Sequence, residues 1–289
     1  MFDFAHSLFI IFNNDPIILI SLAVILGLLL GSFLNVVIYR MPKMMEREWH
    51  NNCLILQGKE VLAQTPFSLS LPRSSCPKCH HSITALENIP IISYLFLAGK
   101  CKNCRSKISM RYPFVEALTG ALFGLIVYQF GGTFTTLFAF IFTLALITLT
   151  FIDYDTQLLP DDITLPLLWI GLLFNLNGGF TDLKSAVIGA IIGYLILWSI
   201  YWLFKIVTKK EGMGYGDFKL LAAIGAWFGW QLIPAIILLS SILGAVIGIA
   251  LIVLKGKSSQ ATIPFGPFLA LGGIAALFFG QQLDRFYAA

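Results

Sequence analysis

The stretch Ile17-Ile-Leu-Ile-Ser-Leu-Ala-Val-Ile-Leu-Gly27-Leu-Leu-Leu-Gly31-Ser-Phe-Leu-Asn35-Val-Val-Ile38 holds twenty-two residues without a formal charge. A helix needs about 20 predominantly apolar residues to cross the hydrocarbon core of a bilayer. Asp3 and Asp15 precede this stretch, and no Lys or Arg appears before Arg40. The positive flank of a cleavable signal peptide is therefore missing, and the segment reads as a retained first membrane span. Seven further apolar runs follow it: Phe114–Phe130, Thr133–Ile152, Ile163–Leu176, Ser185–Phe204, about Phe218–Ile233, Pro234–Leu254 and Pro264–Gly280. The fourth span in this series is short, and the sixth and seventh are divided only by Trp230, Gln231 and Pro234.

Composition agrees with this reading. Of 289 residues, 57% are hydrophobic and 12% charged, against roughly 25% charged in an ordinary soluble domain. Such a chain cannot present the polar surface that a soluble enzyme needs. A net charge of +4 from 19 Lys and Arg, with no basic stripe, also excludes a nucleic-acid binder. The expected fold is an all-α polytopic membrane protein of about eight transmembrane helices, in contact with membrane lipid.

Charge is concentrated in one place. Residues 39–113 hold 15 of the 34 charged side chains, so a polar module is inserted between the first and second spans. The chain thus divides into 1–38, the N-terminal segment and first helix; 39–113, a cytoplasmic cysteine-rich domain; and 114–289, a seven-helix membrane domain. With eight alternating spans, the side that receives the module collects 17 of the 19 Lys and Arg, leaving only Lys184 and Arg285 opposite. The positive-inside rule then places the module in the cytoplasm and both termini outside.

Four of the five cysteines form two pairs, Cys76-Pro-Lys-Cys79 and Cys101-Lys-Asn-Cys104, with 21 residues between Cys79 and Cys101. Two such knuckles can surround Zn²⁺ with four thiolates, and a reducing compartment disfavours disulfides. Redox-active pairs are the alternative. His80 and His81 are superfluous once four thiolates are in place, and Cys53 stands alone.

Two acidic segments break the apolar background. One runs Phe151-Ile-Asp153-Tyr-Asp155-Thr-Gln-Leu-Leu-Pro160-Asp161-Asp162 at the end of the third span; the other, Gly212-Met-Gly214-Tyr-Gly216-Asp217-Phe-Lys219, opens the sixth. Both fall on the cytoplasmic side of the expected topology. A carboxylate at membrane depth is costly and points to function. Two that lie close share a proton, so one can activate water while the other donates to a carbonyl. Proton-coupled transport uses the same residue types, and a helix cap or interfacial charge is the bland alternative. No internal repeat of the kind common in transporters is visible, and the cysteine module has no counterpart elsewhere in the chain.

Taken together, four motifs in this order resemble the bacterial type IV prepilin leader peptidase and N-methyltransferase family. They are Gly31-Ser-Phe-Leu-Asn35-Val-Val-Ile-Tyr-Arg40-Met-Pro42, the two cysteine pairs, Ile152-Asp153 leading to Leu159-Pro160-Asp161, and Gly214-Tyr-Gly216-Asp217-Phe-Lys219. Met41 stands where that family commonly has leucine. The resemblance implies an intramembrane aspartyl protease of the inner membrane with Asp153 and Asp217 as its catalytic pair. Gly214, Gly216, Lys219, Asp161 and Glu116 would support that site. The implied substrates are type IV prepilins and type II secretion pseudopilins, cut after glycine on the cytoplasmic side. The new terminal residue, usually phenylalanine, would then be methylated from S-adenosylmethionine. Candidates for the methyl-transfer site are Asn35, Arg40, Glu46, Arg47 and Glu48; no dinucleotide-type glycine fingerprint is present.

Overall fold

In a computed structural model the protein is all-helical among the residues described, which are 15–60, 65–255 and 263–287. Asp3, both chain ends and the loop through 256–262, whose sidedness entered the topology, lie outside them. The helices are α1 (Pro16–Leu56), α2 (Ile92–Phe96), α3 (Arg111–Phe130), α4 (Phe134–Thr156), α5 (Asp161–Leu176), α6 (Leu183–Thr208), α7 (Tyr215–Phe228), α8 (Ile233–Lys255) and α9 (Gly266–Tyr287). Each expected span falls on one of the eight longer helices. Five of these are long and apolar enough to cross a membrane, namely α1, α3, α4, α6 and α8 within Ile233–Ala250.

Two expected boundaries move. Helix α1 continues past Ile38, through Pro42, to Leu56. Residues 43–56 are mostly good helix formers, and the helix stops only where Gly58 takes φ +70. At the other end of the chain, α7 is shorter than the run that announced it. It stops at Phe228 because Gly229 turns at φ +82, and its 14 residues extend about 21 Å, less than the roughly 30 Å hydrocarbon core.

The chain forms two compact units, one up to Thr136 and one from Leu137. In the first, α1 and α3 pack antiparallel along a small-residue seam. A Cβ on Gly27 would meet Gly120 Cα at 2.8 Å, and one on Gly31 would meet Glu116 Cα at 2.8 Å. Close approach of this kind replaces the hydrophobic drive that is lacking between helices in lipid.

In the second unit α7 is the core. Every residue from Asp217 to Gly229 except Lys219 is buried, so α7 shows no polar face. Helix α6 lies against it through Gly189, which faces the Gly225 carbonyl, and Gly193, whose Cβ would come 2.7 Å from the Leu221 carbonyl. Helix α5 is fastened to it by polar bonds: Asn175 Nδ2 donates to the Ala226 and Trp227 carbonyls at 2.8 and 2.9 Å, and Trp227 Nε1 donates to Leu167 O at 2.9 Å. Phe142 of α4 packs on Trp227 and Phe228. A short helix enclosed in this way can carry a polar group at its end with little access to lipid.

Candidate functional site

Asp153 lies in the last turn of α4 and is 5% exposed. Its Oδ2 accepts a hydrogen bond from the Gly266 backbone N–H at 2.9 Å, at the first residue of α9. Beyond α4, Gln157 reverses the chain at φ +56, and Pro160 caps α5. Asp161 and Asp162 therefore occupy the first turn of α5, where the helix dipole favours negative charge.

Asp217 is the third residue of α7 and is 7% exposed. Gly214 caps that helix in an extended conformation, and its carbonyl accepts from Asp217 N–H at 3.3 Å. The Asp217 Oδ1 atom is buried and finds no hydrogen-bond partner among the described residues. Gly266, which binds Asp153, and Gly216, beside Asp217, both close on Leu159.

Leu159 explains why glycines surround them. A Cβ on Gly216 would sit 2.7 Å from Leu159 Cβ; one on Gly266 would sit 3.2 Å from Leu159 Cδ2 and 2.6 Å from Asp153 Oδ2. The ends of α4, α7 and α9 can converge on this leucine because neither glycine carries a side chain. Lys219, one helical turn within α7, donates to both oxygens of Asp161 at 2.7 and 2.8 Å and ties the two acidic segments together. Gly214 and Gly216 lead directly into Asp217, while Asp161 and Lys219 pair with each other between the first turns of α5 and α7. Glu116 does not belong to this unit. Gly266 and Leu159 were not singled out in the sequence as site residues. The signal for Gly266 was a glycine flanked by Pro264 and Pro267 at the mouth of the last apolar run.

The four cysteines form a separate centre in the first unit. Their sulfurs all lie within 4.8 Å of one another, with Cys76 and Cys104 Sγ 3.8 Å apart and Cys79 and Cys101 Sγ 3.9 Å apart. Tetrahedral zinc with Zn–S bonds of about 2.3 Å has sulfur–sulfur edges of about 3.8 Å, so this donor set fits Zn²⁺. Both knuckles have the same backbone design. His80 N–H donates to Cys76 O and Arg105 N–H to Cys101 O, each at 2.9 Å, and both donor residues have positive φ. Backbone N–H groups of Cys79 and Lys78 pull the Cys76 thiol down to about 6, which favours the ligating thiolate. His81 Nε2 lies 3.3 Å from the Glu87 carboxylate, outside the sulfur set. Cys53 is a free, exposed thiol outside the four-sulfur cluster.

Three of the residues considered for methyl transfer, Asn35, Arg40 and Arg47, also make structural contacts in this fold. Asn35 Nδ2 donates to the Gly31 and Tyr112 carbonyls, both at 3.2 Å, and so joins α1 to the start of α3. Arg40 is buried; Nη1 donates to Ser68 O at 2.8 Å and Nη2 to Pro72 O at 2.6 Å. The Arg40 and Arg47 guanidiniums both approach the Phe67 ring, 5.6 and 4.4 Å from its centroid. These two arginines therefore clamp the 65–72 segment onto α1. Glu46 and Glu48 are exposed along the α1 extension. Glu116, buried in α3, accepts from the Ile91 N–H at 2.8 Å and anchors the cysteine module to its helix.

The fold and the paired buried carboxylates define a polytopic helical membrane enzyme with a cysteine-rich insert. Residues 25–130 match the bacterial peptidase A24 N-terminal domain, and residues 140–249 match the type IV leader peptidase family. The chain is 51% identical to the prepilin leader peptidase/N-methyltransferase of Aeromonas hydrophila, over 99% of this chain and 97% of that protein. It is 50% identical to the protein of that name from Pseudomonas aeruginosa over 95% of both, and 52% identical to that of Neisseria gonorrhoeae over 88% of both. The chain belongs to the type IV leader peptidase family. No solved structure matches it.

Proposed function

We propose that this enzyme removes the leader from type IV prepilins and type II secretion pseudopilins after a glycine, then N-methylates the exposed residue, usually phenylalanine. The observation that carries the protease reading is the pair Asp153 and Asp217, buried together where α4, α7 and α9 converge. One carboxylate takes a proton from water as the water oxygen adds to the glycine carbonyl carbon. The other, protonated, donates to the carbonyl oxygen. Collapse of the tetrahedral intermediate breaks the C–N bond, and the departing nitrogen leaves protonated as the new amino terminus. Asp217 Oδ1, buried without a partner among the described residues, has a lone pair to offer to a shared proton or to the water. Gly266 N–H holds the Asp153 rotamer, and the Lys219–Asp161 pair holds the two acidic segments in register.

Protease function falls within residues 114–289, and the 39–113 module serves methylation. Zinc held by Cys76, Cys79, Cys101 and Cys104 would supply folding free energy to a segment with few buried apolar side chains. S-adenosylmethionine supplies the methyl group. Asn35 and Arg40, held through Nδ2 and through Nη1 and Nη2 to backbone carbonyls, position the module in which methyl transfer takes place, with Glu46, Arg47 and Glu48 along the same helix. The distribution of Lys and Arg supports a bacterial inner-membrane protein with the module in the cytoplasm and both termini in the periplasm. A prepilin anchored by its own apolar helix would then reach the carboxylates laterally from the bilayer.

The test uses purified enzyme, a prepilin and labelled S-adenosylmethionine. Leader loss followed by label on the trimmed amino terminus is expected. If Asp153→Asn or Asp217→Asn protein still removes the leader at the wild-type rate, the carboxylate pair is not the protease site.

A further inference from the structure

Helix α2 carries an apolar face that no described residue of its own unit covers. Ile92, Leu95 and Phe96 stand at i, i+3 and i+4, one side of the helix, and are 51%, 70% and 87% exposed. Isolated exposed side chains are ordinary, but three contiguous ones on a helix beside a membrane span mark a contact surface.

The depth of this face follows from a single bond. Ile91, the residue before α2, donates its N–H to Glu116, the sixth residue of α3. Five residues of helical rise place Glu116 about 7 Å along α3 from its start. Helix α3 has 20 residues, about 30 Å, which matches the hydrocarbon thickness with little to spare. Its second turn cannot stand in bulk water without drawing its far end out of the opposite interface. Helix α2 is tied to that second turn, so its apolar face lies at the boundary between headgroups and acyl chains.

Charge agrees with this depth. Between Lys78 and Arg111 the sequence has six cations and one carboxylate, Glu87. A zinc tetrathiolate removes two positive charges, which leaves a surplus of three. Lys100, Lys102, Arg105 and Lys107 border the second knuckle; Lys102 lies 3.8 Å from Glu87. Apolar side chains inserted at the headgroup level with lysines and arginines above them are the signature of an element lying in an anionic lipid interface.

We propose that Ile92, Leu95 and Phe96 insert into the cytoplasmic leaflet, with the cations of the cysteine module against anionic phospholipid headgroups. This holds the cysteine module at the membrane surface. The proposal goes beyond the enzymatic reading, and its assignment to the cytoplasmic leaflet rests on the topology proposed above.

The test replaces Phe96 by benzoylphenylalanine in the full-length, zinc-loaded protein, reconstituted in bilayer nanodiscs containing phosphatidylglycerol and illuminated. Intact-mass and peptide analysis should show lipid adducts at position 96, at least tenfold more than with the same photoprobe at exposed Glu48. Adducts to a second copy of the chain or to an added prepilin in place of lipid would overturn the proposal, and so would a yield equal to the Glu48 control. Ile92→Ser with Leu95→Ser, in protein that retains its zinc, should lower the lipid adduct at least threefold. Replacing phosphatidylglycerol by phosphatidylcholine should also lower it at least threefold. An unchanged yield in the first comparison overturns the apolar insertion, and in the second the role of the cations.

Discussion

The backbone N–H of Gly266 reaches Asp153 Oδ2 at 2.9 Å across 113 positions of sequence. That bond makes the start of α9 a third arm of the site, beside the end of α4 and the start of α7. A methyl group at position 266 would lie 2.6 Å from the accepting oxygen, so it must displace either the carboxylate or the helix. Gly266→Ala should lower the rate of leader removal about a hundredfold, as a shift of roughly 1 Å at a reacting group does. The loss should appear in kcat more than in KM. Methylation of an already trimmed pilin should be unchanged, which a pilin-labelling assay checks.

Asparagine at either position 153 or 217 keeps the shape of the side chain and removes its acid–base function. Each substitution should reduce cleavage about a thousandfold or more, while thermal stability in detergent stays close to wild type or rises, because one buried ionisable group is gone. A single-turnover leader-loss assay and a melting curve separate this outcome from unfolding.

The Lys219–Asp161 pair is short but open to water, with 30% and 52% of the side chains exposed. Exposed pairs of this kind contribute about 0.2–1 kcal/mol. Lys219→Met or Asp161→Asn should therefore slow cleavage less than about fivefold, and Asp161→Lys with Lys219→Asp should recover most of that loss. A loss as large as that of Asp153→Asn would instead give the pair a direct part in the chemistry.

Removal of zinc by a strong chelator should abolish methylation and leave leader removal within about twofold, since the sulfur cluster and the carboxylate pair belong to separate compact units. Zinc retention should also depend on pH. The Cys76 thiol is pulled down to about 6 by the Cys79 and Lys78 N–H groups, so it is a thiolate at pH 7. Protons compete with the metal for all four thiolates as pH falls, so zinc content after dialysis should decrease from pH 8 toward pH 5. Cys76→Ser should lose zinc at every pH.

Gly189 faces the Gly225 carbonyl at the closest approach of α6 and α7. Gly189→Leu should destabilise the protein by about 3 kcal/mol or more through overpacking, seen as a lowered Tm and loss of leader removal. Gly58→Ala is a contrasting case. No atom of the described residues lies within 4 Å of a Cβ built there, so the substitution should act through the positive φ at the end of α1.

Much of this was legible because lipid simplifies the code. Uninterrupted apolar runs must be helices, since no water is present to satisfy an extended backbone, and charges kept in such a chain are placed where they are needed. Asp153, Asp217 and the four cysteines stood out for that reason. The run from Phe218 to Ile233 misled about length, because apolarity does not distinguish a helix bathed in lipid from one enclosed by other helices. Only Gly229 marks the stop, and glycines are common in this chain. Asn35 and Arg40 were conspicuous as polar groups near an apolar span, yet the partners they hold, Tyr112 and the 68–72 backbone, come from distant sequence that carries no mark of the pairing.

Sequence by itself determined the chemistry available to this protein: a membrane solvent, scarce carboxylates, a thiolate set at zinc spacing and glycines beside them. Those are properties of residue type and local spacing, which any folding of the chain preserves. Tertiary structure alone decided that Asp153 meets the N–H of Gly266, that Leu159 is the surface on which two glycines close, and that Glu116 accepts the N–H of Ile91. These are distances between segments far apart in the chain, set by how the helices pack, and no local pattern encodes them.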